Sequence, residues 1–118
     1  MRPTVLMVDD HDGFRTRARV MLEAQGFDVV GEASDGRSAV AAADRLRPDV
    51  ALVDIGLPDL DGFEVAAAIR AAGTARRIIL TSGRDAADFG GRVAQAAADG
   101  FIPKAELSGD GLLALLGP

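Results

Sequence analysis

Five times along this chain of 118 residues a short apolar run gives way to a stretch of helical periodicity, with no low-complexity linker or long repeat between. The apolar runs are Thr4 to Val8, Phe27 to Ala33, Val50 to Val53, Ile78 to Thr81 and Phe101 to Ile102. Three of them are near-continuous rather than alternating, the pattern of parallel strands covered on both faces. In the intervening stretches the apolar residues recur at helical spacing. Phe14, Ala18, Met21 and Leu22 mark the first, Val40, Ala43 and Leu46 the second, and Val65 and Ile69 the Ala-rich third, Gly62 to Ala72. Phe89, Val93, Ala96 and Ala97 mark the fourth, and Leu112, Leu115 and Leu116 the fifth, with Leu113 off its apolar face. Five βα units with right-handed crossovers give an α/β fold, a doubly wound parallel five-stranded sheet, with strand order 2-1-3-4-5 expected.

Local punctuation agrees. Asp12 stands where the first helix needs an N-cap, Asp35-Gly36 turns into the second, and Pro48-Asp49 closes it. Asp61 followed by Glu64 reads as a capping box for the third helix. Gly90-Gly91 weakens the fourth, since each glycine costs about 1 kcal/mol against Ala inside a helix. That helix is expected to be short, frayed or late-starting.

A single domain over residues 1–118 should bury roughly two thirds of the surface of its unfolded chain, enough for a core without staples. The chain has no cysteine, which excludes disulfides, thiolate metal sites and a thiol nucleophile. A net charge of −5 and a pI near 4.7 argue against binding nucleic acid, whose affinity is supplied mainly by clustered Lys and Arg. The four apolar residues Val5 to Val8 are too few for a signal-peptide core or a membrane span, so no membrane partner and a cytoplasmic location are expected. No Trp, no Tyr and five Phe leave few stacking surfaces for flavins or single-stranded bases.

In doubly wound sheets ligands bind at the carboxyl ends of the strands, beside the point where the strand order reverses. The strand ends here carry Asp9-Asp10, Asp54, Thr81-Ser82 and, after the fifth strand, Lys104. Clustered carboxylates repel one another by up to ~4 kcal/mol per close pair at an effective dielectric of about 20, so a neutralising cation is expected. An all-oxygen site with open positions suits Mg²⁺, and no His or Cys is expected there to serve zinc. A hydroxyl and an ammonium facing that metal are the equipment of phosphoryl transfer. Asp54 is the nucleophile candidate, in a loop where Gly56 lets a backbone carbonyl approach a metal and Pro58 fixes the exit. Attack by its carboxylate on phosphorus yields an acyl phosphate.

The acidic pair in Val8-Asp9-Asp10-His11, the loop from Asp54 through Leu57-Pro58 to Asp61-Gly62, Ser82-Gly83, and Gly100-Phe101-Ile102-Pro103-Lys104 stand in a specific order. In that order they resemble the receiver domain of two-component response regulators over essentially the whole length. The spacings of 28 residues from Asp54 to Ser82 and 22 from Ser82 to Lys104 fit that family with Ser82, not Thr81, as the functional hydroxyl. The resemblance implies a flavodoxin-like (βα)5 fold and fixed roles. Asp54 would accept a phosphoryl group from a histidine kinase or a histidine phosphotransfer protein. Asp10, Asp54 and the Gly56 carbonyl would bind Mg²⁺ directly, with Asp9 through water. Ser82 and Lys104 would contact phosphoryl oxygens, and Phe101 would be the aromatic switch that reports to a downstream protein partner. No turnover of an independent substrate is implied.

The chain departs from the family pattern in two places. Pro103 precedes the lysine and Ala105 follows it, so the cis peptide usual after that lysine is not expected. Gly56 and Arg84, at positions that influence hydrolysis of the acyl phosphate, predict a long-lived phosphoryl group. His11, the one histidine, lies at a loop-to-helix junction and is not read as a phosphohistidine. Competing readings are a phosphorylation-independent binding module and an aspartyl-phosphate-forming phosphatase. Gly56 stands where the phosphatase would need a second acid. A flavodoxin-like electron carrier is disfavoured because Asp9-Asp10 would repel a phosphate without Mg²⁺.

Overall fold

Strand β1 (Thr4–Val8) explains why the apolar runs are continuous: Val5 and Met7 enter one buried cluster, Leu6 and Val8 another, on opposite faces of the sheet. The computed structural model describes residues 2–116; Met1, Gly117 and Pro118, part of the expected 1–118 domain, lie outside the described residues. The other strands are β2 (Asp28–Ala33), β3 (Val50–Asp54), β4 (Arg77–Ser82) and β5 (Gly100–Pro103), all parallel and ordered 2-1-3-4-5. The expected order is therefore found.

Helices α1 (Asp12–Ala24) and α5 (Gly109–Leu116) cover the Val5 and Met7 face through Ala18, Leu22 and Leu112. On the opposite face, α2 (Gly36–Leu46) and α3 (Gly62–Ala72) bring Ala39, Ala43, Val65, Ala66 and Ile69 against Leu6, Val8, Val53 and Leu80. Burying each Val, Leu or Ile contributes roughly 1.5–3 kcal/mol. Leu113 of α5 stays exposed, as its position off the apolar face predicts.

Asp35 accepts the Ser38 N–H at 2.7 Å and Asp61 accepts the Glu64 N–H at 2.9 Å, but Glu64 makes no return bond to the Asp61 N–H, so the expected capping box is half formed. The first helix differs. Its N-cap is His11, extended at φ −93° and ψ 103°, and Asp12 is already helical. The Asp12 carboxylate pairs with Arg15 instead, while Asp9 Oδ1 accepts the His11 N–H at 2.8 Å.

The fourth helical segment is broken, as the glycine pair predicts. A 3₁₀ turn over Ala86–Phe89 ends at Gly90, whose φ of 60° suits glycine, and α4 (Arg92–Gln95) is one turn long. Ala96 is extended, so the expected stripe does not form one helix; Phe89 and Val93 nevertheless pack on the α2 and α3 side of the core. Arg92 ties this segment to the start of α3, pairing with Asp61 at 3.0 Å and lying 4.2 Å over the Phe63 ring.

Candidate functional site

Central strands β1 and β3 are neighbours, with β2 on one side and β4 on the other, so the order reverses between them. Asp9 follows β1 directly and is only 1% exposed, while Asp10 points to the surface. Arg15 of α1 holds this turn from below: its guanidinium reaches the Asp9 carbonyl and bonds Glu32 at 2.9 Å. Sequence reading passed over Arg15, which stands one turn into the helix with no motif around it.

Asp54 is the last residue of β3 and is buried. Its Oδ1 accepts the Gly56 N–H at 3.3 Å. Gly56 itself is exposed, and a Cβ there would meet nothing within 4 Å. No protein atom crowds Gly56. The crowded glycine is Gly62, where a Cβ would lie 2.6 Å from the Asp54 carbonyl oxygen and from the Ile55 Cα. Between them, Asp59 anchors the loop to α2, its carboxylate accepting the Gly36 N–H at 2.7 Å and the Arg37 N–H at 3.0 Å. The Gly36 bond leads the backbone bonds that hold its carboxyl below the usual carboxylate range.

Ser82 ends β4 and is buried; its Oγ accepts the Arg84 N–H at 3.1 Å. Thr81 is paired in register with Asp54, and its buried hydroxyl has no hydrogen-bond partner. Phe101 is half-buried in β5 and packs against the α2 and α3 side of the core. Pro103 sits opposite Ser82 on the edge strand, and no peptide bond among the described residues is cis. Lys104, the one lysine, follows it and directs its ammonium to Asp9 Oδ2 at 2.7 Å and Asp54 Oδ2 at 3.3 Å.

The structure thus brings Asp9, Asp10, Asp54 and Lys104 together. Asp54, Gly56, Ser82 and Lys104 also line one open cavity of about 910 Å³, walled on the α1 side by Phe14, Ala18 and Met21. Burial raises the Asp54 carboxyl above the usual range and the Asp9 charge adds to it, while Lys104 and the Gly56 N–H pull back without cancelling the rise. Asp9 Oδ2 is buried and makes no hydrogen bond, only the ion contact with Lys104. A carboxylate oxygen held this way suits a cation, and the set Asp9, Asp10 and Asp54 suits a hard divalent one.

His11 corrects one expectation. Its Nδ1 lies 2.9 Å from Asp9 Oδ1 and 3.1 Å from Asp10 Oδ1, so an imidazole does stand in the acidic cluster. Ligand atoms of Asp9, Asp10, His11 and Asp54 fall within 4.8 Å of one another. Its adjacency to the acidic pair was the available signal.

Residues 5–115 match the response regulator receiver domain family. The chain belongs to that family. This receiver is 39% identical over 110 residues to a transcriptional regulator of Pseudomonas aeruginosa, covering 93% of this chain and 53% of that protein. It is 38% identical over 101 residues to the nitrate/nitrite response regulator protein NarP of Escherichia coli, covering 85% of this chain and 47% of that protein. It therefore spans about half the length of the curated relatives it matches. Among solved structures, the signal receiver domain of the response regulator NarL from Mycobacterium tuberculosis superposes with a TM-score of 0.86 at 33% identity, covering 99% of this receiver and 98% of that chain. The fold is flavodoxin-like, as in these receivers. Among the described residues no helix is long and apolar enough to cross a membrane.

Proposed function

We propose that this receiver takes a phosphoryl group onto Asp54 from a phosphohistidine of a histidine kinase or histidine phosphotransfer protein. The observation that carries the reading is the Asp54 carboxylate, buried at the end of β3, 3.3 Å from the one lysine, on the wall of a cavity that Ser82 shares. An Asp54 oxygen attacks phosphorus, the P–N bond to the donor imidazole breaks, and its electron pair leaves with the imidazole nitrogen. Lys104 moves its ammonium from Asp54 to a phosphoryl oxygen. Ser82, whose Oγ accepts from Arg84, keeps its own O–H to donate to another. Asp9, Asp10, Asp54 and the Gly56 carbonyl would hold Mg²⁺, which when bound supplies charge neutralisation to the attacking carboxylate and the phosphoryl oxygens.

Drawing Ser82 toward the phosphoryl group frees space for Phe101 to move inward, which changes the surface of α4, β5 and α5 for a protein partner. Residues 1–118 act as one cytoplasmic receiver with no independent substrate turnover, and their acidic balance supports no direct contact with nucleic acid or membrane. The test is intact mass after incubation with Mg²⁺ and a small phosphodonor. One hydroxylamine-labile phosphoryl adduct is expected, absent with chelator and in Asp54→Ala. No adduct supports a phosphorylation-independent binding module instead. Steady phosphate release from an unrelated phosphomonoester supports a phosphatase.

A further inference from the structure

His11 is unusual in the acidic cluster because its Nδ1 faces both signs of charge at short range. Asp9 Oδ1 is 2.9 Å away, Asp10 Oδ1 3.1 Å and Asp54 Oδ2 4.0 Å, while the Lys104 ammonium stands at 3.4 Å. A protonated Nδ1 turns an N–H toward an ammonium; an unprotonated Nδ1 turns a lone pair toward carboxylates. Neither tautomer satisfies all four neighbours.

A cation does. In an octahedral site with bonds of roughly 2.1 Å, neighbouring ligand atoms lie about 3.0 Å apart and opposite ones about 4.2 Å. The separations of 2.9, 3.1 and 4.0 Å from Nδ1 match two adjacent ligands and one opposite ligand. Ligand atoms of all four side chains lie within 4.8 Å of one another, and the buried Asp9 Oδ2 is held by the Lys104 ammonium at 2.7 Å, a positive charge that a metal would replace. The imidazole is 65% exposed, so an ion enters from that side without moving the core.

We propose that His11 Nδ1 is an inner-sphere ligand, completing with Asp9, Asp10 and Asp54 a site that selects a first-row transition dication over Mg²⁺. Imidazole suits Ni²⁺ and Zn²⁺, whereas Mg²⁺ prefers carboxylate, carbonyl and water. All-oxygen sites also rank Ni²⁺ above Mg²⁺, so the distinguishing quantity is the part of that preference that disappears with the imidazole. The inference rests on the metal-binding part of the proposed function.

The chain carries one histidine and no cysteine, so in tag-free protein an imidazole nitrogen signal has one source. Pulsed EPR of the Mn²⁺-loaded receiver should show one directly coupled imidazole nitrogen, lost in His11→Ala. Calorimetric titration should find Ni²⁺ binding at least tenfold weaker in His11→Ala and Mg²⁺ binding changed less than threefold. The His11 side chain makes no cap bond, so its truncation leaves α1 its backbone start. Absence of the nitrogen coupling in the unsubstituted receiver, or equal weakening of both ions, overturns the proposal while leaving the Mg²⁺ reading in place. Failure of the unsubstituted receiver to bind either ion overturns both.

Discussion

At the scale of single residues the site stores electrostatic cost. Burial and the neighbouring Asp9 charge raise the Asp54 carboxyl, so the folded state favours the protonated acid and ionisation destabilises the metal-free protein. That cost is absent below the unfolded carboxylate's pKa of about 3.9 and develops as pH rises through the folded one. Asp54→Asn should therefore stabilise metal-free protein at neutral pH by on the order of 1 kcal/mol, seen as a Tm about 4 °C higher. The gain should vanish below about pH 4; a lower Tm at pH 7 would contradict it. At Gly56 the open space beside the site matters chemically. With no side chain there to hold an attacking water, the acyl phosphate should be long-lived, and Gly56→Asn should shorten its lifetime several-fold in Mg²⁺. Following the decay of the phosphorylated mass in both proteins checks this, and equal lifetimes would refute it. Asp54 was legible because it ends a strand, and Gly56 because it follows two residues on in an ordered motif. His11 adjoins the acidic pair and was passed over, because its contact with both carboxylates depends on the side chain folding back over them, which no spacing reports.

At the scale of elements the β3–α3 connection is the precise part. Ala in place of glycine near a helix start ordinarily gains up to about 1 kcal/mol of helix propensity. At Gly62 a Cβ would stand 2.6 Å from backbone atoms of Asp54 and Ile55, which cannot swing aside as a side chain would. Gly62→Ala should thus cost about 1–3 kcal/mol net in chemical denaturation, at the upper end for a backbone clash, while Gly56→Ala changes stability by less than about 0.5 kcal/mol. Equal stability of the two variants would contradict the packing account. The helices on both faces were legible from apolar periodicity, and the broken fourth one from Gly90-Gly91. The Gly62 contact and the Asp59 anchor were hidden because they join the β3–α3 connection to backbone elsewhere, Gly62 to the end of β3 and Asp59, 23 residues on in the chain, to the start of α2 at Gly36. The N-cap moved from Asp12 to His11 for a related reason: Arg15 claims the Asp12 carboxylate.

At the scale of the whole molecule, part of the net charge of −5 is concentrated at one rim, where Asp9 and Asp54 share a single lysine and Asp10 lies beside His11. A cation that binds this folded cluster and not the unfolded chain must stabilise the protein. At 100 times its Kd, Mg²⁺ should add about 2.7 kcal/mol, a Tm rise of roughly 10 °C, and the rise should shrink in Asp9→Asn. Unchanged melting at millimolar Mg²⁺ would count against the metal assignment. Strand order and receiver identity were readable because continuous strands fix a covered parallel sheet and the sheet fixes where chemistry can sit. Asp54 is the proposed carrier of the phosphoryl group. Reduction of the phosphorylated receiver with borohydride converts an acyl phosphate to the alcohol, and peptide mass mapping then locates it. Homoserine is expected at position 54 and nowhere else; an unreduced Asp54, or phosphate retained on His11, would refute Asp54 as the acceptor.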